Sequence, residues 1–250
     1  MAKIDITVIQ GTEDIVLKQL PRTFSPTVEL HPNVSIITFE SDKSATDFQY
    51  LKTALSVTDQ RTSIKLFKRD WRVCKVAAGI NPSLAYAMCE LAQIKSTDSI
   101  LDPFCGGGTI PISSLLYYKA RIAIAADVNS FATACVRKNA TAADINPDRL
   151  VVIHKDISGL ELGPNSIDKI ITNLPFGIRS GKHSDNQQVY VSFASQAIKW
   201  LKPGGLIIVL TQETKLIHES LSSKFHLVKD LPIFIHGLRP HISIFERFRH

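Results

Sequence analysis

Apolar positions repeat with two different periods along this chain, one typical of strands and one typical of helices. In the first part, KIDITVIQ alternates like a strand, and GTEDIVLKQL has the spacing of a helix. Two strand-like pieces follow, TVELHP and NVSIITFE, and then SATDFQYLKTAL predicts a second helix with Ser44 as its N-cap. TSIKLF predicts a closing strand. The resulting order βαββαβ is that of a ferredoxin-like α+β unit.

From Asn81 onward, helical segments alternate with strands that are almost entirely apolar. The predicted strands are SILD, RIAIAAD, LVVIHKD, IDKIITN and GGLIIVLT. Strands that are apolar throughout indicate a parallel sheet covered by helices on both faces. Two last strands, FHLVKDLPIFI and HISIFERF, are joined by too few residues for a crossover helix, so we expect them to pair antiparallel.

These patterns predict an α/β fold with two parts. The larger part is a Rossmann-like, doubly wound, mostly parallel sheet with an antiparallel last strand, and the smaller part is the N-terminal α+β unit. A chain of 250 residues that is 44% hydrophobic is long enough to bury both cores. We assign residues 1–67 to a ferredoxin-like domain, 68–80 to a linker and 81–250 to the larger domain.

The net charge of the chain indicates one class of binding partner. Lys and Arg number 29 against 23 Asp and Glu, a net charge of +6, which fits a polyanionic partner and equally an ordinary solvated surface. Part of this charge lies in the linker KRDWRVCK, around Trp71. Two interpretations stay open: basic residues on phosphates with the ring free for stacking, or a Trp packed on the next domain.

Several classes of protein are disfavoured by what the composition lacks. No apolar run approaches the roughly 20 residues of a membrane span, and the first residues lack a signal-peptide pattern, so we expect a soluble cytoplasmic protein. The eight His residues form no metal-binding motif, and we expect no metal site. The cysteines are widely spaced, which argues against a disulfide framework, and we expect Cys89 and Cys135 to lie in the core.

Candidate chemistry is concentrated where the predicted strands end, the edge at which open α/β sheets bind ligands. LDPFCGGGT, which contains Asp102, leads a strand into a helix through glycines that allow either close ligand approach or tight packing. Asp127 ends the next strand, where an acid can accept hydrogen bonds from ribose hydroxyls or favour a helix N-terminus. Asp156, followed by Ile157, is placed to receive an adenine amino group or to cap a turn.

The segment NLPFG ends the strand IDKIITN with an amide, a proline and a ring. The oxygen of Asn173 and a main-chain carbonyl at Leu174 or Pro175 are two acceptors for the hydrogens of a planar amine. Phe176 offers a flat face for a base. Such a site would orient a weakly nucleophilic nitrogen and stabilise its developing positive charge without a metal or covalent intermediate. An ordinary strand-ending turn is the alternative.

Together these segments resemble class I S-adenosylmethionine-dependent methyltransferases. They look most like the RNA guanine-N2 methyltransferases that usually carry a THUMP domain. The resemblance lies in DPFCGGGT, AADVN with RKNA, HKD, NLPFGIRSG and WLKPGGLIIVLT, and it extends from about Asn81 to Arg247. DPFCGGGT followed by NLPFG is a fairly specific pair.

The resemblance implies S-adenosylmethionine as cofactor and gives each site residue a role. Catalytic residues that hold the target amino group are Asn173, Pro175 and Phe176. Arg179 is expected to help position the RNA. Cofactor-binding residues are Pro82, Ser83, Asp102, Phe104, Gly106, Gly107, Thr109, Asp127, Val128, Asp156, Ile157 and Asn173.

One departure from the family concerns how RNA is held. VIQGTEDIVLKQL looks like the start of the family's N-terminal domain, but the linker 68–80 has no room for a full THUMP domain. The resemblance implies RNA, most often tRNA, as partner, with the N-terminal unit, a protein partner or a homo-oligomer completing the binding surface. The alternatives are another amino methyltransferase, acting on DNA adenine N6 or protein glutamine, and a catalytically silent RNA-binding protein.

Overall fold

The computed structural model describes residues 1–77, 79–175, 183–235 and 237–249, with only the backbone for 183–186. The strands are β1 (Ala2–Ile9), β2 (Thr27–His31), β3 (Val34–Ser41), β4 (Ser56–Thr58), β5 (Ser63–Lys65), β6 (Ser99–Asp102), β7 (Ile122–Asp127), β8 (Leu150–His154), β9 (Ile167–Asn173), β10 (Leu201–Thr211), β11 (Phe225–Pro232) and β12 (His241–Arg247). The helices are α1 (Glu13–Leu17), α2 (Pro82–Leu91), α3 (Thr109–Tyr118), α4 (Ser130–Ala142), α5 (His183–Trp200) and α6 (Thr214–Leu221). Within these described ranges, none of the helices combines the length and apolarity needed to cross a membrane.

The large sheet has the strand order β11-β12-β10-β9-β6-β7-β8. The five strands β10, β9, β6, β7 and β8, in this spatial order, are parallel to one another. Strand β12 is antiparallel to both of its neighbours, β10 and β11. The predicted fold class, including the antiparallel last strand, is confirmed. The domain limits 1–67, 68–80 and 81–250 stay a prediction.

Helices cover both faces of this sheet, which is why its strands are apolar on both sides. Successive residues of β9 point to opposite faces. Ile170 packs into a core with Tyr190 and Trp200 of α5, and Ile171 packs into a second core with Met88 of α2. All five of these side chains are at most 2% exposed. The continuous apolar runs of the sequence therefore correspond to a sheet buried between two helical layers.

A smaller antiparallel sheet with the order β2-β3-β1-β4-β5 precedes it. The predicted second helix, SATDFQYLKTAL, is wrong, because this stretch forms a 3₁₀ turn over Ala45–Phe48 followed by irregular turns. Leu55 already donates its N–H to the carbonyl of Thr7, at 2.7 Å, where β4 joins β1. The helical spacing of this stretch does not produce a helix, because the chain must be extended here to pair with β1.

The linker is attached to the large domain through Trp71. Trp71 is only 7% exposed and lies in a cluster with Ile112 and Ala140, and its indole N–H donates to the hydroxyl of Tyr117, at 3.4 Å. Of the two interpretations of this segment, packing on the next domain is therefore correct for Trp71, and a ring free for stacking is wrong.

A disulfide between Cys74 and Cys135 joins the linker to α4 across 61 residues of sequence. The wide spacing of the cysteines argued against a disulfide framework, but it does not show which two cysteines the fold brings together, and the Cα atoms of these two lie 5.1 Å apart. The expectation that Cys89 is a core residue is confirmed, with 0% exposure.

Contacts also connect the two sheets directly. The hydroxyl of Ser83, at the start of α2, donates to the carbonyl of Ala54, at 2.7 Å. The N–H of Phe234 donates to the carbonyl of Gln10, at 3.0 Å, in a single antiparallel bridge. The start of α2 is thus fixed against the N-terminal sheet.

Candidate active site

The carboxyl ends of β6 and β9 lie side by side, because these strands are parallel neighbours that pair Leu101 with Ile170. Asp102, at the end of β6, is 1% exposed. One of its carboxylate oxygens accepts hydrogen bonds from the hydroxyl of Thr172 on β9, at 2.7 Å, and from the N–H of Phe104, at 3.3 Å. The two most specific sequence motifs are therefore joined through one buried carboxylate.

Burial raises the pKa of Asp102 to about 7. The negative charge of Asp127 raises this pKa further, while the bonds from Thr172 and Phe104 lower it. A buried carboxylate that is only half ionised near neutral pH is stabilised by a cationic ligand. The end of β6 therefore suits a positively charged group.

The glycine-rich turn between β6 and α3 is fixed by both its conformation and its packing. Gly106 and Gly108 have φ of +50° and +79°, which favour glycine. A Cβ on Gly108 would lie 2.9 Å from Val136, and one on Gly106 would lie 3.2 Å from Val76. A side chain at either position would thus run into α4 or the linker, so tight packing accounts for both glycines. Thr109 follows, buried, as the first residue of α3.

Asp127, at the end of β7, orients the glycine-rich turn. One carboxylate oxygen accepts the N–H of Gly106, at 2.8 Å, and the other accepts the N–H of Asn129, at 2.9 Å. Each oxygen has a further lone pair, so the predicted role toward a ribose is compatible with these bonds. Val128, the next residue, is 66% exposed.

Other predicted cofactor residues are engaged in the fold. Asp156 caps a 3₁₀ turn through Ser158, whose side-chain and backbone hydrogen bonds lower the pKa of Asp156. Ile157 is buried in the core, as are Pro82 and Ser83 at the start of α2. Their contacts with a cofactor stay a prediction.

Asn173 is the last residue of β9, and the environment of its side-chain oxygen is unusual. Its Oδ1 is buried and has no hydrogen-bond partner among the described residues. The backbone just beyond is fixed, because the N–H of Leu174 donates to the carbonyl of Leu210, at 3.1 Å. A buried acceptor without a partner is uncommon and marks a place where a ligand donor fits.

Pro175 is supported by residues that the sequence motifs did not single out. Tyr190 donates its hydroxyl to the carbonyl of Pro175, at 3.3 Å, and is hydrogen-bonded to Thr211, which accepts the N–H of Glu213. Burial raises the pKa of Tyr190 to about 12, so the phenol keeps its proton and remains a donor. No sequence signal pointed to Tyr190, whose pattern is that of an ordinary core aromatic residue.

Two predicted residues of this region, Phe176 and Arg179, lie outside the described residues. Phe104 is partly buried, and its ring centroid lies 6.3 Å from that of Phe193 on α5. Of the predicted residues, Asp102, Asp127 and Asn173 lie at the carboxyl ends of β6, β7 and β9.

Asn139 on α4, within the segment RKNA, has a structural role that its sequence pattern did not indicate. It is fully buried, and its side chain makes three hydrogen bonds. Its Oδ1 accepts the N–H of Cys74, at 2.8 Å, and its Nδ2 donates to the carbonyls of Cys74, at 2.8 Å, and Gly107, at 2.9 Å. One amide thus holds the linker against the glycine-rich turn.

The arrangement combines two complementary kinds of group. A buried carboxylate at β6 suits a cation, and at β9 an amide oxygen that has no partner among residues 1–77, 79–175, 187–235 and 237–249 suits an N–H donor. These groups are suited to holding a cationic ligand beside a planar amine, which is the chemistry of amino-group alkylation.

Comparison with known proteins identifies the family of the domain that contains this site. A family model described as UPF0020, RMKL-like methyltransferase domain, matches residues 69–235. Mouse tRNA (guanine(6)-N(2))-methyltransferase THUMP3 is 30% identical over 182 residues, which cover 67% of this chain and 36% of the mouse protein. Human U6 snRNA (guanine-N(2))-methyltransferase THUMPD2 is 30% identical over 136 residues, covering 54% of this chain and 26% of the human protein.

A solved structure has the same fold over the whole chain. The crystal structure of TrmN from Thermus thermophilus superposes with a TM-score of 0.85, covering 99% of this chain and 100% of that one at 16% identity. Because the two sequences are only 16% identical, this superposition confirms the fold alone. The chain spans only about a third of the length of the mouse relative, at 36%.

Asn139→Ala is expected to lower the free energy of unfolding by about 1–3 kcal/mol, because it leaves buried backbone groups of Cys74 and Gly107 without partners. Urea denaturation measures the change. Asn146→Ala is the control, since the described contacts of the exposed Asn146 side chain include one hydrogen bond, accepted from the N–H of Asp148. Equal losses in both variants would contradict the role given to Asn139.

Proposed function

The chain belongs to the RMKL-like methyltransferase family, and on that premise we propose that it is an S-adenosylmethionine-dependent RNA methyltransferase that modifies guanine N2. The observation that carries this proposal is the buried Oδ1 of Asn173, which has no hydrogen-bond partner in the described part of the chain and lies beside the Asp102–Thr172 pair. The names of the mouse and human relatives, a tRNA and a U6 snRNA guanine-N2 methyltransferase, support RNA as the substrate class. We propose tRNA as the first substrate to test.

The described residues fit the proposed cofactor. Asp102, with its raised pKa, would receive the ammonium group of the methionine moiety, and Asp127 would accept hydrogen bonds from the ribose. We assign the surrounding contacts to Pro82, Ser83, Phe104, Gly106, Gly107, Thr109, Val128, Asp156 and Ile157. When bound, S-adenosylmethionine supplies an electrophilic methyl group.

The protein's contribution to the reaction is to orient the acceptor amine. Asn173 Oδ1 accepts one hydrogen of the amine, and a backbone carbonyl at Leu174 or Pro175 accepts the other. These dipoles stabilise the positive charge that develops on nitrogen as the bond to carbon forms. Tyr190 holds the carbonyl of Pro175 in place, and Phe176 is proposed to stack on the base.

Location and partners extend the proposal. A tRNA substrate favours the cytoplasm, where the glutathione pool would keep Cys74 and Cys135 as thiols, so the disulfide belongs to the oxidised protein. We propose that 81–250 carries catalysis and that 1–67 contributes to RNA binding. A partner protein or a second copy of the chain is the alternative source of the remaining RNA surface.

The proposed reaction is tested with methyl-labelled S-adenosylmethionine and separate pools of tRNA, other RNA, DNA and protein. After digestion, mass spectrometry is expected to find N2-methylguanosine in the RNA. N6-methyladenine in DNA or methylglutamine in protein would replace the proposed substrate. Cofactor binding without transfer to any pool would indicate a silent RNA-binding protein.

Asn173→Ala is expected to lower kcat by about 10²–10³-fold with little change in the cofactor Kd, because it removes one acceptor for the amine. Asp127→Asn is the matched variant and is expected to raise the cofactor Kd instead. Single-turnover methylation and calorimetry measure the two quantities. Normal kcat in Asn173→Ala at saturating cofactor would reject the role of Asn173.

Cofactor affinity is expected to weaken about tenfold as pH falls from 7 to 5.5. The pKa of Asp102 is raised to about 7, so its carboxylate is charged above this pH and becomes neutral below it. Only the charged form attracts an ammonium group, which therefore binds more tightly at the higher pH. Calorimetry across this range measures the effect. Asp102→Asn should bind weakly with a flat profile, and a flat profile in the unaltered protein would contradict the assignment.

A further inference from the structure

Three cationic residues lie near one another where the linker passes the N-terminal sheet and α3. Arg69 lies between the other two, Lys52 and Arg72. Its guanidinium donates through Nη2 to the carbonyl of Lys52, at 2.9 Å, and lies over the ring of Tyr117, 6.0 Å from its centroid. We call Lys52, Arg69 and Arg72 the linker cation cluster.

The charges of this cluster are poorly solvated and repel one another. Burial lowers the pKa of all three groups, and the charge of Arg69 lowers the pKa of Lys52 and Arg72 further. All three side chains are half-buried. Because poorly solvated charges are normally paired, this arrangement favours the binding of a compensating anion.

That partner is absent from the described part of the chain. None of the three cations takes part in an ion pair there, and Asp70, the acid within the linker, is exposed and forms no ion pair with them. The Nε of Arg72 is buried and has no acceptor among these residues. The cluster therefore has donors and charge left for an external anion.

The surroundings favour a phosphate of a nucleic acid backbone. Exposed Lys68 and Lys75 flank the cluster along the linker and continue the positive charge. Arg72 lies close to Gly79, since a Cβ there would be 3.3 Å from its Nη2, and so borders the segment that enters α2. With Trp71 buried in the fold, the linker contributes charge without a ring for stacking, which suits phosphate contacts that position RNA without reading sequence.

We propose that the linker cation cluster binds a backbone phosphate of the RNA substrate, with Lys52 and Arg72 as ligands and Arg69 as the residue that holds them together. This inference rests on the proposed function. It gives the linker a role in holding RNA next to the strand ends, because Cys74 and Val76 of the same segment pack on the glycine-rich turn.

The test compares two double variants of the full chain with equal loss of charge. Lys52→Gln/Arg72→Gln removes the two proposed ligands. Lys3→Gln/Lys215→Gln removes two exposed lysines that are paired with Asp5, at 3.4 Å, and with Glu219, at 3.9 Å. Fluorescein-labelled unfractionated tRNA is the probe, and anisotropy gives its Kd between 50 and 200 mM salt.

The cluster variant is expected to weaken tRNA binding by about tenfold and to reduce the slope of log K against log salt by about 1–2. The control variant should change both quantities far less. S-adenosylmethionine affinity, measured by calorimetry, should be unchanged. Arg72→Lys should retain most of the affinity, and thermal unfolding of every variant verifies its fold.

Three outcomes would overturn the proposal. Equal weakening in both double variants would show an effect of net charge alone. A lost S-adenosylmethionine affinity with an unchanged salt slope would assign the cluster to the cofactor carboxylate. Normal tRNA binding by the cluster variant would reject the inference while leaving the proposed function intact, whereas an unaltered protein that neither binds nor methylates any RNA would reject both.

Discussion

The hydrogen bond from Thr172 to Asp102 is the contact on which the candidate site depends. It joins the ends of two neighbouring parallel strands, β6 and β9, inside a region where Asp102 is 1% exposed. A carboxylate in such a place is stable only when its oxygens are hydrogen-bonded. The bond therefore holds the end of β6, which suits a cation, next to the end of β9, which carries Asn173. The chain belongs to the RMKL-like methyltransferase family, and we propose that these two strand ends form the cofactor side and the acceptor side of its site.

A second constraint comes from the linker, which does more than connect two domains. Asn139 binds both Cys74 and Gly107, and in the oxidised protein the disulfide to Cys135 also holds the same segment on α4. Through Cys74 and Val76 the linker thus packs on the glycine-rich turn, and it also carries two of the three members of the linker cation cluster, Arg69 and Arg72. The same few residues connect the cofactor side of the proposed site with the proposed RNA contact.

Several residues that carried functional signals in the sequence also have clear structural roles. Gly108 is required by a positive φ and by Val136, Ser83 donates to Ala54, and Asp156 caps a turn. Capping by Asp156 and tight packing of the glycines were among the interpretations of the sequence, whereas the partners Val136 and Ala54 could not be predicted because they are distant in sequence. The residues missed altogether, Tyr190 and Asn139, have the same explanation, since both act through backbone carbonyls that only the fold brings near them.

The sequence by itself determined the alternation of helices and strands, the antiparallel last strand and the positions of the candidate residues at strand ends. These features follow from local period and from short motifs, which act within a few residues of each other. Only the tertiary structure decided that SATDFQYLKTAL is not a helix, that Cys74 meets Cys135 and that Trp71 is buried. Those outcomes depend on packing and hydrogen bonding between distant segments, whose energies exceed the local preferences of the residues involved.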